Sequence, residues 1–81
     1  MRRQLAGTAQ SCEQPVRYYL LTEEEKDGKN AYGVLVEGDE TVSIPDITPS
    51  RSRIQSLLAL MIQGHVTPVT ARDVVEDWIV A

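Results

Sequence analysis

Ile54-Gln-Ser-Leu-Leu-Ala-Leu-Met-Ile62 combines more aliphatic bulk with helical spacing than any other run of the chain. Ile54, Leu57, Leu58 and Met61 recur at i, i+3, i+4 and i+7, which is one apolar stripe of a helix. Leu60 and Ile62 widen that stripe, so the helix should be covered on more than one side. The fold must be built from whatever the neighbouring segments supply as cover.

Downstream of the helix, Gly64 stands where a left-handed residue usually ends one, and beside it His65 can complement the negative carboxyl end when protonated. Val66-Thr67-Pro68 then opens a second helix, as Ile47-Thr48-Pro49 opens the first. Each triplet has an apolar anchor, a Thr able to cap free N–H groups and a Pro suited to the first helical position. Ser50 is the alternative first cap. The second helix should run from about Pro68 to Ile79 and bury Val74, Val75, Trp78 and Ile79.

Upstream lie three segments of strand character. Val16 to Thr22 and Ala31 to Glu37 are rich in aromatic and β-branched residues, and Thr41 to Ile44 is a shorter third. Asp27-Gly28 is read as the tight turn of the first hairpin and Gly38 as the positive-φ residue of the second. The expected architecture is α+β, a three-stranded antiparallel β-meander with two C-terminal α-helices packed on one face. Residues 1–14 lack periodicity and read as a flexible tail, leaving 15–81 as a single α+β domain.

A two-residue Asp27-Gly28 turn pairs Leu21 with Val34 and Tyr19 with Val36, and Leu20 with Leu35. Val42 and Ile44 share the face of Leu20 and Leu35, which is therefore assigned to the helices. Tyr19, Leu21, Tyr32, Val34 and Val36 are left to line the opposite face as a candidate interaction surface. An apolar second face suggests a partner, a second copy or cover by the tail.

Composition narrows the functional classes. The chain has 81 residues, 42% of them hydrophobic and 25% charged, and a net charge of -4. One small globular domain is expected, too small for a deep cleft between lobes. The negative balance disfavours nucleic acid and anionic membrane as partners. No apolar run approaches a membrane span, and Gln4 to Gln14 lacks the apolar core of a signal peptide. The single cysteine, Cys12, fits a reducing cytoplasm and reads as an exposed thiol, since redox chemistry would need a neighbour that lowers its pKa and Arg17 is the only cation close by in sequence.

Candidate sites are few. Asp73, Glu76 and Asp77 share one side of the second helix. They read as a solvated back or an acidic rim to the interaction face, and alternatively as a divalent-metal site. Glu23, Glu24 and Glu25 read as a solvated loop. Arg51 and Arg53 sit where the helix dipole disfavours cations, so they either meet an anion or an acidic partner or reach back to Asp46 and the acidic hairpin. His65 has no nucleophile near it in sequence, and no enzyme is expected. The tyrosines lack the flanking cations of an RNA-binding sheet, and the acidic second helix would repel DNA phosphates. No cofactor is implied. What remains is a non-enzymatic protein-interaction or regulatory module acting through self-association or a protein partner.

Tyr18-Tyr-Leu-Leu21, Tyr32-Gly-Val34, Val66-Thr-Pro68 and Asp73-Val-Val-Glu-Asp-Trp78 together resemble an uncharacterised family of short bacterial proteins found chiefly in Clostridia-like Gram-positive lineages. The resemblance covers about Val16 to Ile79. It implies a bacterial, cytoplasmic domain of unknown function, and it carries over no catalytic residue.

Overall fold

The computed structural model describes residues 1–11 and 14–80 of the chain. Cys12 lies outside them. Four strands come first, β1 (Arg2–Ser11), β2 (Gln14–Glu24), β3 (Asn30–Glu37) and β4 (Thr41–Thr48), followed by helices α1 (Arg51–Gln63) and α2 (Pro68–Val80). The strands form one antiparallel sheet in the order β1-β2-β3-β4, and both helices pack on one face of it. The expected meander is present, with four strands in place of three. Arg2–Ser11, expected as tail, is the first of them and pairs with β2 along its length.

The β2–β3 turn sets the sheet's faces. Glu25 and Lys29 close it, with the Glu25 N–H donating to the Lys29 carbonyl at 2.8 Å, so the loop holds three residues, Lys26, Asp27 and Gly28. Gly28 takes φ 82°. A left-handed glycine as the last of three loop residues is a standard three-residue hairpin, and it moves the register by one from that of a two-residue turn. Leu20 therefore lies opposite Val34, and Tyr18 opposite Val36. Because side chains alternate with period two, that single step changes the face on which β3 presents its side chains.

The expected interaction surface is corrected accordingly. Tyr32, Val34 and Val36 lie under the helices with Val16, Tyr18 and Leu20, and Val34 and Val36 are 0% exposed. Tyr19 and Leu21 remain on the far face, where Leu35 joins them. Val42 and Ile44 do pack against the core, as expected, with Leu20 but not with Leu35.

Among the described residues no helix covers the far face, yet Leu21 is only 3% exposed and Leu35 only 8%. Part of the cover comes from β4. Between the pairs Val34↔Ile44 and Tyr32↔Thr48, β3 has one residue and β4 has three, Pro45, Asp46 and Ile47. This bulge presses β4 against Gly33, where a Cβ would run into the Ile44 carbonyl oxygen and would stand 2.6 Å from the Pro45 Cα. Gly33 lies opposite Leu21, so β4 crosses beside it. Pro45 accordingly kinks β4 without ending it.

In α1, Ile54, Leu57, Leu58 and Met61 are all buried, whereas Leu60 is 56% exposed. Ser50 is the N-cap, its hydroxyl accepting from the Arg53 N–H, and the Thr48 hydroxyl accepts from the Ser50 N–H. Pro68 begins α2, which buries Ala71 and Val75 and half-buries Val74 and Trp78; Ile79 is exposed. Gly38 does not take the positive φ expected of it. The Tyr18 hydroxyl donates to the Val66 carbonyl at 2.6 Å and fastens the helix connection to the sheet.

Candidate interaction surface

Each edge of the sheet ends differently. β4 carries Pro45, a bulge and Asp46 at φ 57°, all of which interrupt a ladder, and α2 packs beside it. β1 is a ten-residue strand that, among the described residues, pairs only with β2, so its outer edge carries N–H and C=O groups with no ladder partner among them. One irregularity interrupts it, between Leu5 and Gly7. That bulge brings Leu5 and Ala6 to the rim of a groove between β1 and α1. A bulge on an edge strand commonly re-aims side chains in this way.

The groove has a volume of about 270 Å³. Leu20, Leu58 and Ile62 give it apolar walls, Gln4 and Gln55 supply carboxamides, and Arg51 supplies a cation. Gly7 allows β1 and α1 to approach closely beside it, because a Cβ there would stand 2.7 Å from the Ile62 Cδ1. Arg53 differs from Arg51, although both break the same dipole rule. Its guanidinium lies 4.9 Å from the centre of the Trp78 ring and ties α1 to α2. Arg3 is similarly placed over Tyr19, at 5.2 Å. Arg17 pairs with Glu37 at 3.1 Å, the one ion pair among the described residues.

The acidic residues gather elsewhere. Glu23, Glu24, Glu25 and Asp27 line an open hollow with Lys26 and Asp46 at the β2–β3 hairpin. Asp73, Glu76 and Asp77 are exposed on α2, which belongs to the helix layer and so cannot rim the far face of the sheet near Tyr19 and Leu21. Among the described residues no three His, Cys, Asp or Glu side chains come together as a metal site. His65 is exposed at the C-terminus of α1. Among the described residues no helix is long and apolar enough to cross a membrane.

Sequence reasoning missed the groove because it missed β1. Gln4, Leu5 and Ala6 show no alternation, and an edge strand exposed on both sides leaves none to read. The one residue that did carry a signal was Arg51, a cation at a helix start.

Fold and surface together define a two-layer α+β domain, an antiparallel four-stranded meander beneath two helices, with an open edge at its first strand. Residues 2–81 match the Family of unknown function (DUF6514), and the chain belongs to that family. No curated protein and no solved structure matches it.

Proposed function

We propose that this chain is a non-enzymatic protein-interaction module that takes up an extended segment of another protein as a fifth strand along β1. The observation that carries this reading is the unpaired ten-residue edge of β1, set beside a groove with apolar walls. Strand addition of this kind draws affinity from main-chain hydrogen bonds and selectivity from pockets for alternate side chains. Binding along an edge replaces the surface expected on the sheet's face, where Val34 and Val36 are buried. A lone cysteine fits a working place in a reducing cytoplasm. The divalent-metal alternative at Asp73, Glu76 and Asp77 is not carried forward, since among the described residues they form no group that could hold a metal ion.

A photo-crosslinking residue tests the surface. Placed at Gln4, which is exposed, lines the groove and lies opposite Leu20 on the helix-covered face, it should yield a discrete covalent adduct with another protein in the cells that make this one. Placed at Val69, 76% exposed on α2, it should not. Equal capture at both positions, or none at Gln4, overturns the reading. An adduct of twice the chain's mass would identify the occupant as a second copy.

A further inference from the structure

Two unengaged cations stand at one end of the β1 edge. Arg2, Thr22, Tyr32 and Thr48 form one row across the sheet, and α1 begins three residues after Thr48. Arg51 therefore lies toward the Arg2 end of the groove, while Ile62 lies against Gly7. The eleven steps from Arg51 to Ile62 span about 16 Å of helix. The five steps of strand from Arg2 to Gly7 span about the same, so groove and edge run together.

Among the described residues neither Arg2 nor Arg51 has a carboxylate within 4.0 Å or an aromatic ring beneath it, unlike Arg3, Arg17 and Arg53. The opposite end of the groove is apolar, with Leu58 and Ile62. The groove thus changes from apolar to cationic along its length. A polyanion fits it badly, because the carboxylate hollow of the β2–β3 hairpin borders the same end of the sheet. A single carboxylate does not meet that objection.

We infer that the segment accepted along β1 carries an aliphatic side chain and, two residues later, a carboxylate, the first seated over Leu58 and Ile62 and the second facing Arg51. This rests on the strand-addition reading above. Side chains two apart on a strand share a face at a spacing of about 6.7 Å, which suits the distance from the apolar end to the reach of an arginine. The order follows from direction. Every pairing in this sheet is antiparallel, and antiparallel addition is slightly the more stable. The incoming strand then runs from the Gly7 end to the Arg2 end, aliphatic residue first.

The probe is acetyl-Thr-Ile-Thr-Glu-Thr-amide, added up to millimolar concentration to the full isotope-labelled chain and followed by amide chemical shifts. Expected are shifts at Gln4, Leu5, Ala6, Gln55 and Ala59, and roughly tenfold weaker binding with Arg51→Gln. The reversed peptide, with Glu before Ile, should bind at least as weakly as that variant allows. Two singly N-methylated forms, on adjacent residues, test the backbone separately, and one should be blocked and the other tolerated. If both N-methyl forms bind as well as the parent, strand addition itself fails. If one is blocked but the reversed peptide or Arg51→Gln changes nothing, strand addition stands and the inferred side-chain order is wrong. No shift with any peptide overturns the inference, as does a stable dimer whose β1 amides are already protected from exchange.

Discussion

Tyr18 joins the two layers through one hydroxyl. Its ring is fully buried on the core face of β2 and its O–H reaches the Val66 carbonyl between the helices. Tyr18→Phe keeps the ring but leaves that carbonyl without its partner, which should cost about 1–2 kcal/mol in urea unfolding. Burial also raises the Tyr18 phenol above its ordinary pKa. The folded state therefore holds the proton more tightly than the unfolded chain, whose phenol ionises near pH 10. Stability linked to this group is intact below that pH and falls as pH rises through the window between the unfolded and folded values. Unfolding curves at about pH 8 and about pH 11 should thus show the difference between wild type and Tyr18→Phe shrinking at the higher pH. Val34 offers a sharper test of the faces. It is 0% exposed beneath α1, and a carboxylate there has no partner, so Val34→Glu should leave the domain unfolded by circular dichroism at 25 °C. A folded Val34→Glu variant would mean that β3 faces the other way.

At the scale of elements, the end of α1 shows one local rule overriding another. The residue in the left-handed conformation is His65, at φ 52°, and not Gly64, at φ -84°. The Val66 N–H donates to the Met61 carbonyl and the His65 N–H to the Ile62 carbonyl, the paired bonds of a Schellman motif with His65 at its left-handed position. That motif sets Val66 beside Met61, both against the core. A left-handed Gly64 would have set His65 against the exposed Leu60. Apolar contact outweighs the conformational strain at His65. His65→Gly should remove that strain and raise stability by about 1 kcal/mol in the same assay. Gly33→Ala should do the reverse. Its Cβ would run into the Ile44 carbonyl and the Pro45 Cα, both backbone atoms that cannot turn aside. A loss of about 1–3 kcal/mol is expected, with amide shifts concentrated in β4. The helices and three strands were readable because composition and period both mark them. Which way β3 faces was not, since Asp27-Gly28 fits a two-residue turn as well as the end of a three-residue loop.

Across the whole molecule, legibility follows burial. β3 is buried on both faces from Ala31 to Val36, and its aliphatic run marks it plainly in the sequence. β1 buries almost nothing. Its only side chain described against the core is the half-buried Ala9, and at Gly7 it offers no side chain at all. What holds β1 is one ladder of backbone bonds to β2, which composition does not record. The same arrangement makes β1 the strand that opens at least cost, because few buried side chains hold it. Native-state hydrogen exchange should separate the two regimes. Amides of β3, and those of β2 that face β3, should exchange only when the domain unfolds globally. Amides of β1 should exchange through a local opening that needs a few kcal/mol less. Adding the Ile-Thr-Glu peptide should slow exchange in β1 and leave β3 unchanged, since binding there stabilises only the state in which the edge is formed. Uniform exchange rates through all four strands would show that β1 is part of a single cooperative unit, and that its edge is held as firmly as the core.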